Sequence, residues 1–322
     1  MNAQIPVSIY SPGFWKYYLV QMRPYLFFVS GIAGLSGLAL NPHFKMNTVS
    51  SLFIFLAFFF SYGFGQALTD CFQTDTDKIS APYRPLSKGI LSIKNVKYVS
   101  IIGLILVTSI LIFNNMYNML FCTLSIIGLW SYSYFKRNYW FAGPFYNAWI
   151  VALLVIMGYL AGSGTPISLQ MNPDILIVLS ITFFSYANFV LIGYLKDITA
   201  DKQTGYKTFP VVFGWNKTIW IGDIILLVCA FFYFQYFPYS LSGAIFGVMA
   251  LVFGISGQLY AHLTRTKSEE NGAFSILCTV RSFLLWHAGI ISSFHNSLII
   301  FCIVFYLLFE IIVYFRPMNA QI

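Results

Sequence analysis

Charged residues are scarce in this sequence, and its cysteines form no recognisable pattern. Of the 322 residues, 9% are charged and 58% are hydrophobic, whereas a soluble domain of this size carries about 25% charged residues. The five cysteines show no CxxC pair and no Cys/His ligand spacing, which argues against a disulfide framework and a zinc site. Residues 1–23 lack the apolar core of a cleavable signal peptide. We therefore expect an integral membrane protein with buried, free thiols.

Long apolar runs fill most of the remaining sequence. Ten can be delimited, at about 24–41, 49–69, 97–113, 117–135, 145–162, 174–195, 218–238, 241–263, 272–294 and 297–315. Most approach the roughly 20 residues that cross the hydrocarbon core as a helix, and they are too long and uniform for barrel strands. The ninth is the least clear, because Arg281 and His287 interrupt it. The pattern predicts an all-α integral membrane protein, a bundle of nine to ten transmembrane helices.

The basic residues indicate how the chain is oriented. Threading the ten segments in order places every Lys and Arg on one side of the membrane, except Lys45 on the other side and Arg281 inside the ninth segment. Cytoplasmic loops collect Lys and Arg, so this side is predicted to be cytoplasmic, and the net charge of +8 requires no nucleic acid. The predicted layout is a cytoplasmic N-terminal segment (1–23), one transmembrane domain (24–315) and a cytoplasmic tail (316–322).

Acidic residues are rarer still, and half of the ten Asp and Glu residues fall in two short stretches. These stretches are Thr69–Gly89 and Gly193–Gly214, and their acidic residues are Asp70, Asp75, Asp77, Asp197 and Asp201. Each stretch ends an apolar segment on the predicted cytoplasmic side and continues with basic residues, a proline and a glycine. The correspondence predicts two pseudo-repeated halves that meet at one site.

Oxygen-bearing side chains in these stretches repeat at helical spacing. Thr69, Gln73 and Asp77 follow one another at four-residue steps, as do Asp197 and Asp201, so each set would share one face of a continuous helix. Two carboxylate faces brought together repel each other unless cations lie between them. Oxygen ligands without Cys or His favour magnesium, and the neighbouring Lys and Arg suit a diphosphate. The alternative, solvated loop charges without a function, applies less readily to two matching stretches than to one.

The two stretches resemble the signature motifs of the UbiA superfamily of intramembrane prenyltransferases. The family's first motif, NDxxDxxxD followed by PYRP and a glycine, corresponds to TDxxQxxxD across Thr69–Asp77, followed by Pro82–Pro85 and Gly89. The second, DxxxD followed by Gly, Leu/Phe-Pro and Gly, corresponds to Asp197–Asp201, Gly205, Phe209-Pro210 and Gly214. Arg23-Pro24 resembles the family's N-terminal RP, and Tyr132-Ser133 with Lys136 resembles its YS…K segment. The resemblance runs from about 20 to 215.

This resemblance implies a helical membrane enzyme with a central, lipid-accessible cavity. Both aspartate motifs would hold an allylic isoprenoid diphosphate through Mg2+. The prenyl group would pass to an aromatic or other lipophilic acceptor, with release of diphosphate. Metal and basic side chains stabilise a leaving diphosphate, and aromatic faces can stabilise the allylic cation. The expected partners are the isoprenoid diphosphate, the lipophilic acceptor and membrane lipids.

The expected site residues fall into three groups. The catalytic residues are Asp77, Asp197, Asp201 and Tyr132, the last beside the reacting carbon. The magnesium ligands are Asp70, Gln73, Asp75, Asp77, Asp197 and Asp201. The substrate-binding residues are Thr69, Arg84, Lys88, Lys136, Asn188, Tyr194 and Lys207. For the basic members of the last group, a lipid headgroup is an alternative contact.

Two departures from the family pattern leave the reaction open. Thr69 stands where the family has Asn, and Gln73 stands where it has the middle Asp, so one anionic ligand is lost. A membrane terpene cyclase of the same superfamily, which needs no acceptor, is the first alternative to a prenyltransferase. A transporter of anionic lipids or metabolites is the second, although clustered acids without bound metal would repel its cargo.

Overall fold

The computed structural model describes residues 6–44, 49–162, 174–237 and 240–316. In these ranges the chain forms α-helices joined by short loops and contains no β-strand. The helices are α1 (Pro12–Met22), α2 (Phe27–Leu40), α3 (Val49–Asp70), α4 (Thr74–Ser80), α5 (Ile93–Asn114), α6 (Asn118–Asn138), α7 (Ala142–Ala161), α8 (Asp174–Gly193), α9 (Ile198–Gln203), α10 (Phe209–Tyr236), α11 (Leu241–Leu263), α12 (Gly272–Phe294) and α13 (Ile299–Phe315). The all-α prediction is confirmed.

Each of the ten apolar segments contains one of the longer helices. In the described part of the chain, eight helices are long and apolar enough to cross a membrane on their own. α1 and α2 form a ninth candidate span, bent by 48° at Arg23. α6 has 21 residues but is less apolar, because it ends in Ser, Tyr, Lys and Arg. The predicted nine to ten helices therefore agree approximately with the structure.

The N-terminal segment contains a helix, α1, that was not predicted from the sequence. Ser11 caps α1 by accepting a hydrogen bond from the backbone N–H of Phe14. Arg23 ends α1 in the left-handed conformation, with φ 57°, and Pro24 starts the following turn. Phe14 is buried in a small apolar cluster with Cys71, from the first acidic stretch. The N-terminal segment therefore packs against that stretch.

The ninth segment, the least clear in the sequence, forms the most buried candidate span. Of its apolar stretch, 83% is buried, and Arg281 and His287, which interrupt the segment, both have partners on neighbouring helices. Arg281 donates two hydrogen bonds of 2.7 Å to Glu310 on α13. His287 Nε2 lies 2.9 Å from the Thr182 hydroxyl on α8. These partners compensate the cost of polar groups inside the bundle.

The first acidic stretch does not continue α3, so the prediction that Thr69, Gln73 and Asp77 share one helix face is wrong. α3 ends at Asp70. From Cys71 to Gln73, each backbone N–H donates to the carbonyl three residues earlier, which tightens the chain before α4 starts. The second stretch is built alike, with a short 3₁₀ turn (Tyr194–Lys196) between α8 and α9. α4 packs against α9, and the hydroxyls of Thr76 and Thr204 lie 3.0 Å apart. The two halves thus share one pattern and meet at these short helices.

Candidate active site

A cavity opens where α4 and α9 meet and extends between the longer helices. Its mouth is lined by polar side chains of both acidic stretches and of α6: Thr69, Asp70, Gln73, Asp77, Arg84, Lys136, Lys196 and Asp197. Its interior is lined mainly by apolar side chains of α5, α6 and α7: Leu104, Val107, Leu111, Cys122, Val151 and Met157. The cavity therefore suits a molecule with an anionic head and an apolar tail.

The apolar part of the cavity is long and reaches the outer surface of the bundle. The lining residues of α5 run from Leu104 to Leu111, a separation of seven residues that spans about 10 Å at 1.5 Å per residue. Ile126 on α6 both lines the cavity and is exposed. The cavity wall is therefore thin towards the lipid on this side.

Asp70 is held by a ring of donors at the cavity mouth. Its carboxylate accepts hydrogen bonds from Gln21 at 2.6 Å, from Gln66 at 2.7 Å and from Arg23 at 2.8 and 2.9 Å. Gln21 also accepts a hydrogen bond from the backbone N–H of Leu86. Asp70, which corresponds to the aspartate after the Asn of the family's first motif, is thus hydrogen-bonded to residues at the end of α1. Its charge is largely neutralised by Arg23.

Arg84 links the two carboxylates of the first acidic stretch. Its Nη1 lies 2.8 Å from Asp77 and 3.9 Å from Asp70. Burial alone would lower the pKa of Arg84, but these two carboxylates outweigh it and raise the pKa above its ordinary value. Burial raises the pKa of Asp77, Arg84 opposes this, and the carboxylates of Asp70 and Asp197 add to the rise. Asp77 and Asp197 both line the mouth, where their like charges repel each other.

Asp201 lies behind the cavity wall rather than on it. Its side chain is fully buried, accepts a 3.0 Å hydrogen bond from the Thr208 hydroxyl, and lies 3.7 Å from the ammonium of Lys136. Burial raises the pKa of Asp201 to about 6, against the effects of Lys136 and Thr208. Lys136 lines the cavity and also donates a hydrogen bond to Gln73 at 3.2 Å. Asp201 therefore holds Lys136 at the mouth.

Gln73, in place of the family's middle aspartate, joins the first stretch to α6. It accepts from Lys136 through Oε1 and donates to the Ser133 hydroxyl through Nε2 at 3.1 Å. A carboxylate at this position could not donate to Ser133. Both the oxygen and the nitrogen of the Gln73 amide therefore have a hydrogen-bond partner.

Besides Asp201, four other expected site residues do not line the cavity. Asp75 is half exposed and pairs with Arg137 on the surface. Lys88 and Lys207 are exposed, and none of the four lines the cavity. Asn188 is buried on the opposite face of α8, where its side-chain oxygen accepts a 3.3 Å hydrogen bond from Gln258. Asp75, Lys88 and Lys207 were expected at the site as charged members of the two acidic stretches, and Asn188 was expected there from its helix face. The turn after Asp70 directs Asp75 outward.

Replacing Asp75 with asparagine should therefore have little effect. Exposed ion pairs contribute about 0–1 kcal/mol to stability, and Asp75 does not line the cavity. We expect the heat stability and the metal requirement of Asp75→Asn to match those of the parent. The measurement is the thermal midpoint in detergent together with activity across a magnesium titration. A large shift in the metal requirement would return Asp75 to the ligand set.

Two pairs of tyrosines surround the cavity below its mouth. The hydroxyls of Tyr132 and Tyr194 lie 2.7 Å apart, and those of Tyr62 and Tyr186 lie 2.9 Å apart. All four side chains line the cavity. Sequence reasoning found Tyr132 through the family resemblance and Tyr194 through its position on the sixth apolar segment, and it missed the second pair. Tyr62 and Tyr186 lie within apolar runs that carry many other aromatics, so no local signal distinguishes them.

The residues at the mouth fit a magnesium ion that is shared with a diphosphate. Asp77, Asp197, Gln73 and Thr69 present only oxygen and amide groups to the cavity, the donor chemistry that magnesium prefers. Repulsion between the Asp77 and Asp197 carboxylates contributes to the raised pKa of Asp77, and a cation between them would relieve it. Among the described residues, no group of three His, Cys, Asp or Glu side chains is placed to chelate a metal alone. Magnesium commonly completes its shell with waters and phosphate oxygens.

Fold and site together define a multi-pass integral membrane protein with an acid-lined cavity mouth. The model of the UbiA prenyltransferase family matches residues 27–286. The chain therefore belongs to this family and is a prenyltransferase. The match extends well beyond the stretches that carried the sequence resemblance and includes most of α12.

Known relatives and solved structures agree with this assignment. Digeranylgeranylglyceryl phosphate synthase of Methanocaldococcus jannaschii is 24% identical over 237 residues, 74% of this chain and 80% of the relative. A UbiA homologue from Aeropyrum pernix K1 superposes with a TM-score of 0.68 at 17% identity, covering 81% of this chain and 96% of that one. A UbiA homologue from Archaeoglobus fulgidus, solved with GPP and Mg2+, gives 0.59 at 17% identity, covering 84% and 99%.

Proposed function

We propose that this protein transfers a prenyl group from an allylic isoprenoid diphosphate to the hydroxyl of a lipid acceptor, in a Mg2+-dependent reaction. The observation that carries the proposal is the meeting of Asp77 and Asp197 at one cavity mouth, beside Arg84 and Lys136. The two aspartates come from the two halves of the chain, yet both line this one cavity. The apolar interior below them accommodates the prenyl tail.

The reaction replaces one carbon–oxygen bond with another. The bond between the first prenyl carbon and the diphosphate oxygen breaks, and its electron pair leaves with the diphosphate. The acceptor oxygen then bonds to that carbon and loses its proton. Bound Mg2+ would neutralise charge on the leaving diphosphate. Arg84 and Lys136 add positive charge at the same end of the cavity, where low polarity strengthens their effect.

The tyrosines below the mouth suit the charge that develops on the prenyl carbon. The allylic fragment becomes positive as the diphosphate departs. Aromatic faces attract cations, and the buried rings of Tyr132 and Tyr186 lie where this fragment would sit. The same apolar walls exclude water, which would otherwise capture the cation.

A glyceryl phosphate lipid is the acceptor that we favour over an aromatic compound. The name of the Methanocaldococcus jannaschii relative describes a glyceryl phosphate with two geranylgeranyl chains, so an acceptor with one chain and a free hydroxyl matches that product. Such an acceptor is itself an anionic lipid. Arg84 and Lys136, which line the cavity mouth, supply positive charge for its phosphate.

The proposal is tested with purified protein, geranylgeranyl diphosphate and Mg2+. Three acceptors are compared: geranylgeranylglyceryl phosphate, 4-hydroxybenzoate and none. We expect diphosphate release and a prenylated product only with the glyceryl phosphate lipid. Prenylation of the aromatic acid alone would reject the acceptor but keep the reaction class. Release into a cyclic product without acceptor would instead establish a terpene cyclase.

The far end of the cavity should limit the length of the donor chain. Cys122 Sγ lies 3.5 Å from Met157 Sδ beside Leu111, and all three line the cavity. A tryptophan at position 157 would fill this end. We expect Met157→Trp to lower turnover of geranylgeranyl diphosphate about 10-fold or more while turnover of geranyl diphosphate is retained.

Met157→Leu is the matched control, because this swap nearly conserves volume. It should leave the preference between the two donors unchanged. The measurement is the ratio of kcat/KM for the long and the short donor in each variant. An equal loss with both donors in Met157→Trp would show that the prenyl chain does not reach this end.

A further inference from the structure

The loop between α11 and α12 supports the second acidic stretch from outside the cavity. Its 3₁₀ turn, Glu269–Asn271, packs against the Tyr194–Lys196 turn that precedes α9. A Cβ added to Gly272 would lie 3.5 Å from the Cβ of Leu195, so the two segments are in ordinary contact. α12, which follows, is the most buried candidate span. The loop is therefore anchored on a rigid element.

Glu269 makes a specific hydrogen bond to α9. Its Oε1 accepts from the backbone N–H of Thr199, which is the second residue of that helix. In most helices, the side chain of the N-cap residue accepts the hydrogen bond from this backbone N–H, and aspartate is among the residues preferred at the N-cap. The N-cap here is Asp197, and its side chain makes no capping hydrogen bond. Glu269 performs this task in its place.

We propose that Glu269 is a positioning residue that keeps the Asp197 carboxylate directed at the cavity. Without Glu269, the N–H of Thr199 would lack its acceptor, and Asp197 is the side chain that N-cap geometry brings to it. If the Asp197 side chain accepts the hydrogen bond from Thr199 instead, it is no longer available to a metal ion at the mouth. The inference rests on the proposed function, in which Asp197 binds Mg2+. Glu269 itself does not line the cavity.

The chain offers a matched control in the same turn. Glu270 follows Glu269, carries the same charge and is exposed. A change at Glu270 alters the net charge and the loop as a change at Glu269 does, but leaves the hydrogen bond to Thr199 in place. Glu269→Gln removes the charge but keeps the hydrogen bond, because the amide oxygen can still accept from the backbone N–H of Thr199.

The experiment is a magnesium titration of prenyl transfer by the parent, Glu269→Ala, Glu269→Gln, Glu270→Ala and Asp197→Asn. Loss of a residue that orients a metal ligand usually costs about 10- to 100-fold in metal affinity or activity. We expect the half-saturating Mg2+ concentration of Glu269→Ala to rise within this range, with turnover at saturating Mg2+ close to that of the parent. Glu269→Gln should recover most of the shift, and Glu270→Ala should show none.

Two results would overturn the inference. One is an unchanged magnesium requirement in Glu269→Ala; the other is a loss of turnover that is the same at every Mg2+ concentration, since this indicates damage to the fold alone. If Glu269→Ala is not recovered folded, Glu269→Asp, which keeps the charge on a shorter side chain, is compared in the same way. Failure of the proposed function looks different, because Asp197→Asn would then retain the parent's activity and magnesium requirement.

Discussion

Replacing Asp197 with asparagine should lower the rate of prenyl transfer by about 10³-fold, as removal of one preorganised group that stabilises transition-state charge commonly does. Asp197 lines the cavity mouth, as does Asp77. Asparagine has nearly the same shape but cannot supply the negative charge that holds Mg2+ between the two halves. The leaving diphosphate would therefore be poorly neutralised. Single-turnover rates at saturating donor and Mg2+ separate this loss from weaker binding.

Asp75→Asn is the control for this substitution. It makes the same chemical change in the other acidic stretch, at a half-exposed side chain that pairs with Arg137 outside the cavity. It should retain nearly the activity of the parent. Equal losses in both variants, or full activity in Asp197→Asn, would remove Asp197 from the proposed metal site.

Arg84→Ala should produce the largest loss of stability. Arg84 is buried and bridges Asp77 at 2.8 Å and Asp70 at 3.9 Å. Asp70 keeps Arg23, Gln21 and Gln66 as partners, but the mostly buried Asp77 carboxylate loses its guanidinium. Removing one member of a buried ion pair destabilises a protein by about 3–5 kcal/mol. The thermal midpoint of the detergent-solubilised protein, followed by size-exclusion chromatography, measures the effect.

Arg137→Ala is the matched arginine control. Its pair with Asp75 is half exposed, and such pairs contribute about 0–1 kcal/mol, so its thermal midpoint should stay near that of the parent. Adding Asp77→Asn to Arg84→Ala should restore part of the lost stability, because the unpaired charge is then gone. Equal midpoints for Arg84→Ala and Arg137→Ala would contradict the bridging role.

The transmembrane architecture could be predicted because hydropathy acts at short range along the chain. Each apolar segment of the sequence contains a helix, including the ninth, where Arg281 and His287 made the segment unclear. The sequence does not show which residues form hydrogen bonds with Arg281 and His287 in the folded protein. Glu310 lies 29 residues after Arg281, and Thr182 lies 105 residues before His287. Only the folded bundle brings them together.

The candidate site was predictable in its chemistry but only partly in its geometry. The motif positions Asp70, Gln73, Asp77 and Asp197 line one cavity with Arg84 and Lys136. Membership of the acidic stretch misled at Asp75, which pairs with Arg137 and does not line the cavity. Helix-face reasoning misled at Asn188, because the sequence does not show which neighbour covers a given face.

Residues that hold the motif side chains in place lie far from the motifs in sequence. Gln21 and Arg23 reach Asp70 from the end of α1. Glu269 reaches α9 from the loop before α12. The family resemblance marks Arg23 in the sequence but not its partner, and nothing in one sequence marks Gln21 or Glu269, whose roles become recognisable only through their hydrogen bonds. The cytoplasmic orientation of the cavity mouth remains a prediction from the distribution of Lys and Arg.

The most direct test of the account is diphosphate release by the purified protein, offered geranylgeranyl diphosphate in a two-by-two design, with and without Mg2+ and with and without geranylgeranylglyceryl phosphate. The account predicts release only when both are present, and its loss in Asp197→Asn. Mg2+-dependent release without an acceptor, accompanied by a cyclic hydrocarbon or alcohol, would contradict the transferase. Release that is unaffected by chelating Mg2+ would contradict the metal site.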